Sequence, residues 1–124
     1  MNKIIALNWK NTQTAETAGI LMKTVEDVIN IYPDYSWIVF PGDKLIDSFA
    51  TKIPLGLQSV DFNSPLPYCL IGHMSQRLMG KIDKEIQEEL ESIIDKNITP
   101  IFCVGPIQEE GTLELVLKEQ LIVL

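Results

Sequence analysis

The amino-acid sequence predicts an α/β fold in which buried strands of a parallel sheet alternate with amphipathic helices. Three observations carry this reading. Short runs of apolar residues, at Ile4–Leu7, Trp37–Phe40, Cys69–Ile71 and Ile101–Val104, suit strands covered on both faces. Between them, apolar residues recur at helical spacing with charged residues interleaved. Proline, glycine and asparagine stand where the pattern changes.

The first strand spans Lys3 to Trp9 and turns polar at its end. A helix is predicted from Thr14 to about Tyr32, with Ala18, Leu21, Met22, Val25, Val28, Ile29 and Tyr32 as its apolar face and Pro33-Asp34 as its stop. Trp37–Phe40 is the second strand, closed by Pro41-Gly42. Asp43 to about Thr51 suits a short helix resting on Leu45, Ile46 and Phe49. Leu55–Val60 is a third strand, weakened by Gly56. The stretch Asp61–Pro67 carries prolines at 65 and 67 and cannot be helical. Fully extended it reaches roughly 23 Å, just enough to return along a short parallel strand. Tyr68–Gly72 is the fourth strand. Ile82, Ile86, Leu90, Ile93 and Ile94 mark a helix ended by Asn97. Thr99–Gly105 is the fifth strand, and a last helix from about Thr112 aligns Leu113, Val116, Leu117, Gln120 and Leu121.

A length of 124 residues suits one domain over residues 1–124, and 46% hydrophobic with 22% charged residues is an ordinary globular composition. The net charge of −7 argues against nucleic acid as a partner. No apolar run approaches the roughly 20 residues of a membrane span. Met1-Asn2-Lys3 leads straight into a strand without a signal-peptide pattern. Cys69 and Cys103 each lie within an apolar run, as buried reduced thiols do. A cytoplasmic protein is expected.

Ligands of parallel sheets bind at the carboxyl ends of the strands. The polar residues there are Asn8 and Lys10 after strand one, Gln58 and Ser59 at the end of strand three, and His73, Ser75 and Arg77 after strand four. Each has an ordinary structural explanation: a solvated lysine, a structural histidine, an asparagine capping a turn. If the strands curl as in a barrel, Asn8, Lys10 and the only histidine, His73, converge on one mouth.

Four strings in this order, "LNWKNT" at 7–12, "LGLQSVD" at 55–61, "YCLIGHMSQR" at 68–77 and "ITPIFCVG" at 98–105, resemble the first five βα units of triosephosphate isomerase. The resemblance runs over essentially the whole chain. It implies a partial (β/α)8 barrel of five parallel strands with about four helices, and the interconversion of glyceraldehyde 3-phosphate and dihydroxyacetone phosphate that serves glycolysis and gluconeogenesis. It also implies residue roles. Lys10 would be the cation near the substrate phosphate and the developing enolate oxygen, Asn8 would help form the oxyanion site, and His73 would be the electrophile that polarises the carbonyl. Neither a cofactor nor a metal enters this expectation.

Three departures from the family pattern matter. Where the family reads Gly-His-Ser-Glu-Arg-Arg, this chain reads Gly72-His73-Met74-Ser75-Gln76-Arg77, so the carboxylate that pairs with the active-site lysine becomes Ser75 in direct register, or Gln76 if Met74 is an insertion. The long loop and helix after strand three are replaced by Asp61–Pro67, so the family's usual dimer is not expected. No Asp or Glu stands at a position matching the catalytic glutamate, which in the family follows strand six. Proton abstraction needs a base within hydrogen-bond reach of the carbon acid.

The expected partners follow. The chain is expected to be the N-terminal fragment of a split isomerase, inert alone and completed by a C-terminal βα fragment that supplies the glutamate and the phosphate loops. The alternative is a non-catalytic half-barrel that associates with itself. Strand one and strand five would be open edges, and the strand faces meant for a barrel interior would be open to water.

Overall fold

The computed structural model describes residues 3–105 and 113–122. Its element order is β1 (Lys3–Asn8), α1 (Ala15–Ile31), β2 (Tyr35–Phe40), a 3-10 segment (Asp43–Ser48), β3 (Gly56–Leu57), β4 (Tyr68–Ile71), α2 (Met74–Leu78), α3 (Asp83–Asp95), β5 (Thr99–Phe102) and α4 (Leu113–Leu121). The fold is α/β, with the alternation of parallel strands and helices that a partial barrel requires. The chain divides into two compact units, Met1–Ser59 and Val60–Leu124.

In the first unit β1 and β2 pair in parallel, from Lys3 opposite Tyr35 to Asn8 opposite Phe40. Leu55, just before β3, bridges Val39 in the same direction. Helix α1 starts at Thr14, whose Oγ1 accepts from the Thr17 N–H at 3.3 Å while Thr17 Oγ1 accepts from the Thr14 N–H at 2.9 Å. This is a capping box with a hydroxyl in place of the usual carboxylate. Ala18, Met22 and Val25 of α1 pack with Trp9 and Val39 into the core, supported by Leu7, Leu21, Ile29, Leu45, Phe49, Ile53 and Leu55. Tyr32, expected on that face, is exposed, because the helix has ended at Ile31 and Tyr32 is its C-cap.

The strands of this unit differ in burial. Ile38, Val39 and Phe40 are buried in succession, as a doubly covered strand requires. β1 alternates instead: Ile5 and Leu7 are half-buried while Ile4, Ala6 and Asn8 are exposed. The expected two-sided burial of strand one is therefore corrected to one-sided, because only the Ile5 and Leu7 face meets packed side chains. β3 is shorter than the predicted Leu55–Val60. Gly56 explains both its brevity and its place, since a Cβ there would lie 2.2 Å from Cε1 of the Phe40 ring.

In the second unit Asp61–Pro67 is a non-helical connection, as its prolines dictate. The Asp61 carboxylate accepts the Asn63 N–H at 2.9 Å. β4 and β5 pair in parallel, with Tyr68 opposite Thr99 and Ile71 opposite Phe102. Helix α3 packs on both strands. Its Ile86, Leu90 and Ile93 are buried, as are Cys69, Leu70 and Ile71 of β4, whereas Ile82 and Ile94 of the predicted face are exposed. Ile82 precedes the first helical turn, and its N–H is capped by Glu85 Oε2 at 2.9 Å. Asn97 ends α3 at φ 58; its N–H donates to the Ile94 carbonyl at 2.9 Å, and the Ile98 N–H donates to that of Ile93 at 3.0 Å.

Helix α4 buries Gln120, half-buries Val116 and Leu117, and leaves Leu121 exposed, contrary to the predicted stripe. Thr112, its predicted start, lies outside the described residues. Neither cysteine forms a disulfide; Cys69 is buried as expected, but Cys103 is only half-buried because it lies just past the last paired residue of β5. Among the described residues no helix is long and apolar enough to cross a membrane.

Candidate functional site

Asn8 is the last residue of β1, and the chain turns immediately after it. Trp9 drives that turn. Its buried ring meets the Phe49 ring edge-on at 5.9 Å, and its N–H donates to the Phe40 carbonyl at 3.0 Å. With Trp9 committed to the core, Asn8 and Lys10 on either side stay exposed. Lys10 then takes a left-handed backbone, φ 55, which a side chain with a Cβ rarely adopts.

Both ends of the Lys10 backbone are held in that conformation. Asn8 Oδ1 accepts the Lys10 N–H at 2.8 Å. Gln58 Nε2 donates to the Lys10 carbonyl at 2.8 Å and to the Phe40 carbonyl at 3.0 Å. Gln58 is only 4% exposed, and its own N–H donates to Asp43 Oδ1 at 2.8 Å. Gln58 follows β3 and is read from the sequence only as a polar residue at a strand end. No sequence signal marks it, because its acceptors on Lys10 and Phe40 lie 48 and 18 residues away. Replacing Gln58 by leucine keeps the volume and removes the donor. The expected loss is about 1–3 kcal/mol of stability, read as a lowered urea midpoint.

The second group of predicted residues begins where β4 ends. Gly72 has φ 71, and a Cβ there would sit 3.0 Å from the Cys103 carbonyl oxygen, so glycine is required. His73 follows as the N-cap residue of α2, half-buried, and its carbonyl accepts the Gln76 N–H at 3.0 Å and the Arg77 N–H at 3.4 Å.

The Gly72 backbone is held on both sides. Its N–H donates to Gln76 Oε1 at 2.7 Å, and its carbonyl accepts from Arg77 Nε at 2.9 Å. Arg77 is buried and paired with Asp83. Gln76 Nε2 donates to Glu89 Oε2 at 3.5 Å, and Glu89 is paired with Lys81. Of the two positions that could correspond to the family carboxylate, Ser75 is exposed and Gln76 is buried against Gly72.

At the end of β5 the buried Gln120 serves Gly105 in the same way. Its Oε1 accepts the Gly105 N–H at 2.7 Å and its Nε2 donates to the Gly105 carbonyl at 3.0 Å. Burial pushes the Cys103 thiol up, against the opposing charge of Arg77. Among the described residues no carboxylate is paired with Lys10, and no cluster of His, Cys, Asp and Glu is placed to hold a metal ion.

Asn8 and Lys10 thus belong together in the first unit, at the carboxyl end of β1. His73 belongs to the second, at the carboxyl end of β4. A lysine two residues after an asparagine at a strand end suits an anionic oxygen, and an imidazole at a strand end suits a carbonyl oxygen.

The sequence profile of triosephosphate isomerase matches residues 62–123. The triosephosphate isomerase of Francisella philomiragia is 28% identical over 98% of this chain and 57% of its own length. That of Francisella tularensis (strain FSC147) is 28% identical with the same coverage. The triosephosphate isomerase of Dictyoglomus turgidum is 28% identical over 95% of this chain and 57% of its own. These alignments run over 145 positions against a chain of 124 residues, so the relatives carry internal residues that this chain lacks. The chain spans 57% of the length of these relatives.

Proposed function

This chain belongs to the triosephosphate isomerase family, and on that premise we propose that it is the N-terminal part of a divided isomerase. In this reading it contributes Asn8, Lys10 and His73 to the interconversion of glyceraldehyde 3-phosphate and dihydroxyacetone phosphate. The βα units that the relatives carry beyond the matched 57% come from a second polypeptide, which brings the glutamate base and the phosphate loops.

The observation that carries the proposal is the conformation of Lys10. A non-glycine residue at φ 55, held by Asn8 on one side and Gln58 on the other, costs about 1–3 kcal/mol. A solvated surface lysine has no use for that strain, whereas a cation aimed at a substrate does.

The chemistry divides accordingly. Lys10 balances the charge of the phosphate and of the enolate oxygen as it forms. The Asn8 side chain, fixed by its bond to the Lys10 N–H, lines the oxyanion position. His73 hydrogen-bonds the carbonyl oxygen and draws electron density from the carbon that loses its proton. The glutamate of the second chain takes that proton and returns it to the neighbouring carbon.

Titrating the purified chain with a C-terminal fragment spanning strands six to eight tests the proposal. Isomerase activity is expected to rise with added fragment and to level off at about one fragment per chain. No gain at any ratio overturns it.

A second reading has its own observation. Ile4, on the open face of β1, is 61% exposed, and Met74, Leu78, Met79 and Ile82 form an exposed apolar stretch around α2. Such surfaces favour association with a second copy of the chain. Under this reading light scattering gives a stable homo-oligomer, and added fragment leaves it unchanged.

A further inference from the structure

We propose that Gln76 is a positioning residue for His73, and that the amide is required there because it bridges the Gly72 N–H to the Glu89 carboxylate. The placement of His73 belongs to the structure; its role towards substrate rests on the function proposed above.

His73 lies between Gly72, at φ 71, and a helix of only one turn and a half, Met74–Leu78, and its carbonyl accepts the Gln76 N–H at 3.0 Å. The frame is set from α3. Asp83 holds Arg77, and Arg77 Nε holds the Gly72 carbonyl. Lys81 holds Glu89, Glu89 accepts from Gln76 Nε2, and Gln76 Oε1 accepts the Gly72 N–H at 2.7 Å. Both polar groups of Gly72 are thereby tied to α3 or its N-terminal approach through consecutive residues, and the next side chain along is the imidazole.

The residue type follows from the two neighbours. The Gly72 N–H asks for an acceptor, which an amide and a carboxylate both supply. Glu89 asks for a donor, which only the amide supplies at neutral pH. A carboxylate at 76 would face the Glu89 carboxylate at the 3.5 Å that now separates donor from acceptor. One of the two would have to take a proton or swing away, and the second choice releases Gly72.

A charge swap tests this, and His73 makes the readout unambiguous because it is the chain's only histidine. In the full chain, Gln76→Glu is expected to shift the His73 ring proton signals and to speed hydrogen exchange at the Gly72 amide about tenfold. The double variant Gln76→Glu/Glu89→Gln, which reverses donor and acceptor, is expected to bring both signals back. Gln76→Ala removes the acceptor without adding charge and is expected to give the same exchange at Gly72, so a misfolded single swap still leaves a reading.

With a completing fragment present, Gln76→Glu is expected to lower kcat about tenfold with KM within twofold, and the double variant to recover. His73 and Gly72 signals that stay at their wild-type positions in Gln76→Glu and Gln76→Ala overturn the inference, as does a folded double variant that recovers neither. If instead the signals move as expected while His73→Ala leaves the completed activity unchanged, the positioning stands and the catalytic role of His73 falls.

Discussion

Replacing His73 by alanine in the completed assembly is expected to lower kcat/KM by about 10²–10⁴, the range a positioned proton-transfer or hydrogen-bonding group supplies. The loss should fall mainly on kcat, because the carbonyl oxygen gains most of its charge on the way to the transition state. Lys10→Ala is expected to cost at least about 10² and to raise KM as well, since in the proposed function its charge serves both the bound phosphate and the enolate. Steady-state kinetics in both directions checks this. The chain's own fold should survive both changes. Lys10 is exposed, its anchoring bonds run through its backbone, and His73 caps α2 through its backbone carbonyl and not through its side chain.

The largest effect on stability is expected at Phe40. It is fully buried at the end of β2, and its ring fills the space that Gly56 leaves. Phe40→Ala removes the ring from a site whose backbone cannot close in, because the Phe40 carbonyl is held by the Trp9 N–H and by Gln58. The expected cost is about 3–5 kcal/mol, a large share of the roughly 5–15 kcal/mol that holds a small domain together. Ile4→Ala makes the contrast. Ile4 is 61% exposed on β1, so its truncation should change the urea midpoint by less than about 0.5 kcal/mol. Equal costs at the two positions would mean that the open face of β1 is covered by a partner.

Much of the architecture was legible because it rests on periodicity. The stripe Ala18, Met22 and Val25 and the stripe Ile86, Leu90 and Ile93 are buried as helical spacing requires. The prolines at 65 and 67 kept a helix out of the connection before β4. The misreadings fall where a tertiary contact overrides a local pattern. Tyr32 continues a helical stripe but is the C-cap of α1, and Ile94 is exposed although Ile93 beside it is buried. Gln120 falls on the helical stripe of α4 and is buried, but for its two bonds to Gly105 and not for hydrophobicity.

The candidate site was legible in part for the same reason. Asn8, Lys10 and His73 were visible as polar residues ending apolar runs. The groups that set their conformations were not. The buried polar side chains Gln58, Gln76, Arg77 and Gln120 each tie down a turn at the end of a strand. In the sequence an amide is as compatible with solvent as with a buried carbonyl, and only the fold decides which it meets. The bond from Gln58 to Lys10 joins residues 48 apart, which no local pattern encodes.

Exchange of the substrate's carbon-bound hydrogen with solvent reads the base directly and tests the proposal that this chain supplies an electrophile and a cation while a second chain supplies the proton acceptor. Dihydroxyacetone phosphate in deuterated water, followed by proton NMR, is expected to gain no deuterium with the chain alone. It should exchange rapidly once the C-terminal fragment is added, and not when that fragment carries glutamine in place of its glutamate. Deuterium entering the substrate in the presence of the purified chain by itself overturns that proposal.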